Sequence, residues 1–316
     1  MKLGRLFPAP FRGRVNRYRE RRDQARDLRR LARDAGCRFG VSGRSAVVAC
    51  ADKEIWISNE NLAYAQDLIR NFDYYFGIVE PTRRGRRLLV DYRKTALHAL
   101  RPAGLAFWFP ELPEAMETTA IYLERAALGP GEIVLDLGAY AGGAAYHFSR
   151  AVGSAGRVFA FEPDPKSFDC LLRNIELHRL ENVIPDRRGV WSESGRVLFQ
   201  AEGNLGSAVV DASDRASDER RWVDVVSLDD FAREARLERV DFVKMDIEGS
   251  EAAVLASAGA FLQKFRPNLI IEVHRVRGER TDASVIAILE ACGYRVEVVD
   301  QAGLPLPLIS ATLPAR

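Results

Sequence analysis

From about residue 114 onward, short apolar runs alternate with stretches of helical spacing, and this alternation constrains the fold more than any other feature of the chain. The strand-like runs are 133–137, 157–161, 182–185, 242–246, 269–272 and 294–299. The helical stretches are 114–127, 143–151, 165–177, 250–262 and 282–292. Strands that alternate with helices predict an α/β fold with a mostly parallel sheet and helices on both faces. Ligands of such sheets bind outside the carboxyl ends of the strands, so functional residues are expected there.

The pattern is less regular outside this core. Extra strand-like runs at 196–200, 207–211 and 222–227 follow the third core strand. Upstream, strand-like runs at 45–50, 54–58 and 87–92 surround a predicted helix at 61–72, and the basic stretch 82–87 has the composition of a turn. We therefore predict a basic helical arm at 1–38, a small α+β accessory domain at 39–112 and a larger domain at 113–316.

Composition and cysteine usage indicate an ordinary globular protein. Of the 316 residues, 47% are apolar and 28% are charged. The four cysteines, Cys37, Cys50, Cys170 and Cys292, form no CxxC pair, which predicts reduced thiols in a cytoplasmic setting. The N-terminus lacks the pattern of a signal peptide, and no run approaches the ~18–20 apolar residues of a membrane span.

The N-terminal arm is strongly basic. Residues 1–36 hold 12 Lys and Arg against four acids, a charge of +8, so the rest of the chain sums to −6. One interpretation is a solvated helix that packs weakly on the remaining chain. The alternatives are peripheral attachment to an anionic membrane surface and attraction to a polyanion. The sequence leaves all three open.

A glycine-containing loop follows the first core strand. The loop reads Asp136-x-Gly138-x-x-x-Gly142, and Glu162 ends the next strand. Glycines let the backbone approach a ligand closely, and the distal acid can accept hydrogen bonds from ribose hydroxyls. A dinucleotide site instead requires G-x-G-x-x-G to admit a pyrophosphate, which Asp136 would repel. The pattern favours S-adenosylmethionine (SAM) over NAD(P).

Further motifs stand at the ends of later strands, in an order that resembles a known family. The motifs are Asp136-Leu-Gly-Ala-Tyr-Ala-Gly142, Phe161-Glu-Pro-Asp164, Lys244-Met-Asp-Ile-Glu-Gly-Ser-Glu251 and Ile270-Ile-Glu-Val-His274. Over about residues 115–300 this order resembles the FkbM family of SAM-dependent methyltransferases. The resemblance implies a Rossmann-like class I methyltransferase fold with a mostly parallel seven-stranded sheet. It also implies that two segments contact SAM, the glycine loop and the end of the next strand. The residues concerned are Asp136, Gly138, Ala139, Tyr140, Gly142, Glu162 and Pro163.

Five polar side chains are candidates for the chemistry of methyl transfer: Asp246, His274, Glu248, Glu272 and Lys244. Strand alternation puts Lys244 and Asp246 on one face, opposite Met245. His274 is a candidate base because it stands two residues from an acid at a strand's carboxyl end. Glu251, in the first turn of the next helix, is a further candidate; its alternative role is a favourable interaction with the helix dipole.

The same side chains offer a second option, a divalent metal site. Asp246, Glu248 and Glu272, with His274 beside them, carry oxygen and nitrogen donors that suit such an ion. The favoured interpretation is a metal-free polar cluster that orients the acceptor by hydrogen bonds.

The resemblance implies a SAM-dependent O-methyltransferase that acts on a hydroxyl of a sugar, a glycoconjugate or a natural product. Two alternatives remain: a noncatalytic SAM- or glycan-binding protein that recruits a partner through the basic arm, and an RNA methyltransferase. N-methylation of bases is disfavoured because Asp246-Ile-Glu-Gly249 replaces the usual D/N-P-P-Y/F/W motif. A nucleic-acid partner is therefore not favoured.

Overall fold

The computed structural model describes residues 9–59, 62, 64–101, 104–114, 116–200, 208–209, 220–276, 279–301 and 307–313. The chain divides into two compact units, Met1–Phe107 and Trp108–Arg316. The structure thus places the predicted arm and accessory region in one unit and begins the second at Trp108 rather than at residue 113. Within the described part of the chain, no helix combines the length and apolar character that crossing a membrane requires.

The first unit is an α+β structure. Its helices are α1 (Ala9–Asp34), α2 (Ala65–Arg70) and α3 (Phe72–Gly77). Its strands are β1 (Arg38–Ser42), β2 (Ser45–Cys50), β3 (Lys53–Ser58), β4 (Thr82–Arg84), β5 (Arg87–Asp91) and β6 (Ala96–Leu100), with β7 (Leu105–Phe109) beginning in it. Five strands form a sheet in the order β1-β2-β3-β5-β4, and β6 pairs with β7. The predicted turn at 82–87 joins β4 and β5 as an antiparallel hairpin.

Helix α1 packs on the first unit through one apolar face. Ala25, Leu28 and Ala32 are buried, while the arginines between them are exposed. Two of these arginines form ion pairs within the helix, Arg26 with Asp23 and Arg30 with Asp27. The predicted binding of this helix to an anionic membrane surface stays a prediction.

The prediction that all four cysteines are reduced is wrong for two of them. Cys37 and Cys50 form a disulfide, whereas Cys170 and Cys292 are free. Arg38 pairs with Ala49 in the β1–β2 hairpin, so the residues one step further out, Cys37 and Cys50, stand opposite each other. Their Cα atoms are 4.5 Å apart, within the range that a disulfide spans. Disulfides persist in oxidising compartments, so the cysteine argument for a cytoplasmic setting no longer holds.

The second unit alternates strands and helices. Its helices are α4 (Met116–Ala126), α5 (Gly143–Val152), α6 (Pro165–His178), α7 (Leu228–Glu234), α8 (Glu251–Ser257), α9 (Gly259–Phe265) and α10 (Asp282–Ala291). Its core strands are β8 (Ile133–Leu137), β9 (Arg157–Phe161), β10 (Val183–Asp186), β15 (Phe242–Met245), β16 (Asn268–Glu272), β19 (Arg295–Val299) and β20 (Leu308–Thr312). The shorter strands are β11 (Gly189–Val190), β12 (Gly195–Gln200), β13 (Ala208–Val209), β14 (Arg220–Val226), β17 (Arg275–Val276) and β18 (Glu279–Arg280).

The core strands form one seven-stranded sheet in the order β10-β9-β8-β15-β16-β20-β19. Neighbours from β10 to β16 are parallel, and β20 is antiparallel to both β16 and β19. The predicted α/β fold with a mostly parallel sheet is confirmed. A second sheet, β11-β14-β12-β13, contains strands at the predicted extra runs together with β11, which was not predicted. Of the predicted run 207–211, the described residues are Ala208 and Val209.

Burial on both faces of the central sheet follows from side-chain alternation. Leu135 and Met245 point into one apolar cluster, while Val134 and Phe242 point into another on the opposite face. At the carboxyl end of this second face, Asp136 and Lys244 occupy paired positions in the β8–β15 register. The sheet therefore carries two charged side chains deep at the edge where ligands are expected.

Some elements differ from the sequence expectations. Strand β20 and helix α7 were not predicted, and the predicted helix 250–262 is two helices that meet at Ala258. Helix α7 begins at Ser227, whose side chain accepts a hydrogen bond from the backbone N–H of Asp230. Helix α6 begins in the same way, because Asp164 caps it and Pro165 takes its first position.

Candidate active site

A cavity lies at the carboxyl ends of β8, β9 and β15. Its polar wall comes from the loops after these strands and includes Gly138, Tyr140, Glu162, Asp246 and Glu248. Its apolar wall comes from the second sheet and the strand ends, with Phe161, Val190, Phe199, Val223 and Val225. Gly189 and Val190, which form the short strand β11, also line the cavity. The cavity therefore has an apolar end and a carboxylate end.

The glycines of the loop after β8 are required by the protein's own packing. Gly138 has a φ of +82°, and a Cβ there would overlap the backbone carbonyl oxygen of Asp246. Gly142 has a φ of +85°, and a Cβ there would lie 2.6 Å from Cδ1 of Leu171. The sequence argument assigned the space beside these glycines to a ligand. In the structure that space is filled by β15 and by helix α6.

Glu162 fixes the shape of the same loop. One carboxylate oxygen accepts a hydrogen bond from the backbone N–H of Tyr140, and the other accepts one from the N–H of Asp164, each at 2.8 Å. Tyr140 needs such support because its φ is +47°. Burial raises the pKa of Glu162 well above its usual range, although both backbone N–H groups oppose the shift. Each oxygen keeps acceptor capacity for a further donor.

Lys244 joins the glycine loop to the acids behind it. Its Nζ donates to the carbonyl oxygen of Gly138 at 2.6 Å and lies 3.3 Å from Oδ1 of Asp136 and 3.7 Å from Oδ2 of Asp246. Burial lowers the pKa of Lys244, but the charges of Asp136 and Asp246 outweigh burial and raise it above its usual value. Lys244 therefore stays charged and holds the loop.

The turn after β15 brings two carboxylates to the cavity. Asp246 follows the strand, and its N–H donates to the carbonyl of Leu137 at 2.9 Å. Glu248 adopts a φ of +54°, in the left-handed region, which turns the chain sharply before helix α8. Oε1 of Glu251 accepts hydrogen bonds from the N–H groups of Ile247 and Gly249, at 3.3 and 3.0 Å. Glu251 thus closes the turn that carries both cavity-facing acids.

His274 meets the same group of acids from the neighbouring strand. Its Nδ1 lies 2.9 Å from Oε1 of Glu251, and its Nε2 lies 3.5 Å from both Oδ1 of Asp246 and Oε2 of Glu248. Burial lowers the pKa of His274, but the hydrogen bond with Glu251 and the charges of Glu248 and Asp246 raise it to about 10. With that pKa the free imidazole is protonated at neutral pH. The role of His274 as a base stays a prediction, and a protonated ring would have to lose its proton before it could act as one.

Two more residues that the sequence did not single out complete the polar centre. Tyr122 on helix α4 donates its hydroxyl to Oε2 of Glu272 at 3.0 Å. Glu114 has a buried Oε2 with no hydrogen-bond partner among the described residues, and a Cβ on Gly143 would lie 2.5 Å from it. Burial raises the pKa of Glu114 to about 8, with Lys244 opposing and Asp136 adding to the shift. No spacing rule links these positions to the motifs, because Tyr122 reaches the site from helix α4 and Glu114 from the segment before that helix.

With this geometry in hand, the family can be assigned. A model described as the Methyltransferase FkbM domain matches residues 136–296, which is more than half of the chain. The chain belongs to the FkbM methyltransferase family. The predicted class I methyltransferase fold is confirmed by this match together with the sheet order.

Three relatives of this FkbM domain are informative. The 31-O-demethyl-FK506 methyltransferase FkbM of Streptomyces tacrolimicus is 30% identical over 210 residues, 57% of this chain and 79% of that protein. The hexuronic acid methyltransferase AglP of Haloferax volcanii is 32% identical over 117 residues, 37% of this chain and 47% of that protein. The 2-O-methyltransferase NoeI of Sinorhizobium fredii is 29% identical over 157 residues, 43% of this chain and 61% of that protein. The matches to AglP and NoeI thus span less than two thirds of those relatives.

The residues of this FkbM domain fit SAM. Asp136 is buried and pairs with Lys244 through Oδ1, while its Oδ2 and Oε2 of Glu114 are buried without a hydrogen-bond partner in the described part of the chain. An acid at position 136 would repel a pyrophosphate, whereas SAM carries ammonium and sulfonium charges that acids attract. Glu162 can accept from the ribose hydroxyls, and Val190 and Val225 offer apolar contact to an adenine ring.

The predicted cofactor residues divide into two groups. Gly138, Tyr140, Glu162 and Pro163 line the cavity, whereas Asp136, Ala139 and Gly142 are not among the described lining residues. Of the predicted catalytic residues, Asp246 and Glu248 line the cavity. Lys244 contacts Asp246, His274 contacts Glu248, and Glu272 accepts a hydrogen bond from Tyr122.

Proposed function

We propose that this protein is a SAM-dependent O-methyltransferase whose acceptor is a hydroxyl of a sugar, a glycoconjugate or a natural product. The observation that carries the proposal is the shared cavity, which Gly138 and Glu162 line on one side and Asp246 and Glu248 on another. The relatives AglP, NoeI and FkbM, whose names specify a hexuronic acid, a 2-O and a 31-O position, support an oxygen acceptor.

The donor end of the cavity is the glycine loop and Glu162. SAM supplies a methyl group that is already activated by its sulfonium, so the protein's main task is alignment. Holding the acceptor oxygen in line with the bond between sulfur and the methyl carbon contributes roughly 7–11 kcal/mol. The loop is suited to alignment because Glu162 and Lys244 both tie its backbone in place.

The acceptor end is the pair of carboxylates on the turn after β15. A hydroxyl is a poor nucleophile while it keeps its proton, so a nearby group must withdraw that proton. Asp246 and Glu248 stand at the cavity wall, where they can attract it. The acceptor oxygen then forms a bond to the methyl carbon, and the breaking carbon–sulfur bond leaves its electron pair on sulfur. Lys244 is a positioning residue in this scheme because it contacts the loop and the acids rather than the cavity.

The donor assignment is tested by SAM binding. Glu162→Gln removes the charge that accepts from Tyr140 N–H and from the ribose, so we expect affinity for SAM to fall about tenfold or more by calorimetry. The matched control is Glu181→Gln, an exposed glutamate, which should bind SAM as the natural protein does. Equal affinity in the two variants would remove the donor site from this cavity.

The reaction is tested with methyl-labelled SAM and fractionated glycans, lipids and RNA. We expect label on a glycan or small-molecule hydroxyl, and Asp246→Asn should lower turnover about 10²–10⁴-fold while SAM still binds. Transfer of label to RNA would overturn the acceptor assignment. SAM binding without transfer to any fraction would favour the noncatalytic alternative.

A further inference from the structure

The carboxylate end of the cavity combines a histidine with two acids in an arrangement that the methyl-transfer proposal leaves unexplained. The donor atoms of Asp246, Glu248 and His274 all lie within 4.8 Å of one another. His274 Nε2 is 3.5 Å from each of the two acids. That distance exceeds the roughly 2.7–3.2 Å of an N–H···O hydrogen bond. It does match two ligand atoms placed tetrahedrally at about 2.1 Å from one metal ion, which stand about 3.4 Å apart.

The second contact of His274 has the form that metal-binding histidines use. Such a histidine holds the metal with one ring nitrogen and donates its other N–H to a carboxylate, which fixes the ring. Here Nδ1 lies 2.9 Å from Oε1 of Glu251. Nε2 is therefore the nitrogen left to face Asp246 and Glu248.

Glu251 is a buried acid that pairs with His274 through Oε1. The residue is 0% exposed, and its Oε2 is buried without a hydrogen-bond partner among the residues that the structure describes. A buried carboxylate is costly unless opposite charge compensates it. The same Glu251 also fixes the turn that carries Asp246 and Glu248, so one side chain organises all three donors.

We propose that Asp246, Glu248 and His274 bind one divalent metal ion of the Mn²⁺ or Zn²⁺ type at the acceptor end of the cavity. Two carboxylate oxygens and one imidazole nitrogen form a mixed donor set that suits these ions. The ion takes the place of a proton at Nε2, since metal ligands must be deprotonated. Three protein ligands leave open positions toward the cavity, as in catalytic metal sites.

The ion would act as a Lewis acid in the proposed O-methyl transfer. This step rests on the proposed function. Asp246, Glu248 and His274 would hold the ion, which would supply Lewis acidity that lowers the pKa of an acceptor hydroxyl at this end of the cavity. The sequence favoured a metal-free cluster and offered Asp246, Glu248 and Glu272, with His274 beside them, as the metal option; the proposed group includes His274 and leaves out Glu272.

Metal binding can be measured without any acceptor. Mn²⁺ is titrated into the full chain, cleared of metal beforehand, and the free ion is followed by electron paramagnetic resonance. We expect one bound ion per chain, no saturable binding in His274→Ala or Asp246→Asn, and about 10–100-fold weaker binding in Glu251→Gln. Glu238→Gln, which removes an exposed acid elsewhere in the chain, is the matched control and should bind as the natural protein does.

Folding of each variant is checked by circular dichroism and by SAM titration on the same samples, and His274→Gln serves as the conservative variant if His274→Ala unfolds. Absence of stoichiometric Mn²⁺ binding at millimolar concentration, or unchanged binding in folded His274 variants, overturns the metal site. Protein that binds SAM but no Mn²⁺ overturns this inference alone. Protein that binds Mn²⁺ through His274 but transfers no methyl group supports the site and overturns the proposed reaction.

Discussion

At the scale of single residues, Gly138 shows that a motif glycine can be required by the protein itself. Its φ of +82° and the overlap of a Cβ with the carbonyl oxygen of Asp246 both exclude a side chain. Gly131 has a closely similar φ of +85°, but a Cβ there meets nothing within 4 Å. The two positions therefore separate the cost of an unfavourable backbone angle from the cost of a collision.

We expect Gly131→Ala to lower the free energy of unfolding by about 1–2 kcal/mol, the cost of the left-handed conformation alone. Gly138→Ala should lower it by more than about 3 kcal/mol, because β8 and β15 must also move apart. Urea unfolding of both variants makes the comparison. Equal losses would show that the loop opens freely and that the collision is relieved at no cost.

At the scale of elements, the β1–β2 hairpin shows where sequence reasoning is limited. The run 45–50 was predicted as a strand, but its partner β1 was not, so the register that sets Cys37 opposite Cys50 could not be anticipated. The same holds for Lys244. Alternation correctly placed it on the face of Asp246, yet its main partner is a backbone carbonyl on the adjacent strand. Contacts across strands depend on the register in which the strands pair, and that register could not be read from the sequence alone.

The disulfide should stabilise the first unit. By chain entropy, a crosslink between residues 13 apart contributes about 3 kcal/mol. The free energy of unfolding of the double variant Cys37→Ser, Cys50→Ser should therefore be lower by that amount, and its urea midpoint should fall accordingly. Reductant should destabilise the natural protein similarly and leave the variant unchanged. Thiol titration of the unreduced, unfolded natural protein should find two thiols, Cys170 and Cys292, and a count of four would contradict the pairing.

At the scale of the whole molecule, the second unit collects acids where its sheet ends. Glu114, Asp136, Asp246, Glu248, Glu251 and Glu272 surround Lys244 and His274, so acids outnumber bases. The sequence indicated most of these acids because they end strands or follow them. It did not indicate Glu114, because the contact of Glu114 with the start of helix α5 comes from a segment that precedes the motif order.

Because the pKa values of these buried acids are raised, we expect the free energy of unfolding to fall as pH rises. The pKa of Glu114 is about 8 in the folded protein against 4.5 ordinarily. Between these values the folded state binds more protons than the unfolded state, so each pH unit lowers the free energy of unfolding by up to about 1.4 kcal/mol. The raised pKa values of Asp136 and Glu162 act in the same direction.

The test is urea unfolding of the ligand-free protein from about pH 5 to about pH 8. The stability that Glu114 contributes is present below its unfolded pKa and is lost as pH rises through about 8. Glu114→Gln should therefore show a shallower decline than the natural protein. Identical slopes would show that Glu114 is ionised in the folded state throughout this range.

The single oxygen of Glu251 that holds both the turn and the His274 ring has a consequence for protein engineering. A substitution in the turn after β15 therefore also disturbs His274, and a substitution of His274 also disturbs the turn. The opposite wall carries no such tie: Phe199 and Val223 belong to a separate small sheet and form their own apolar cluster. Substitutions in that wall should therefore leave the acidic end intact.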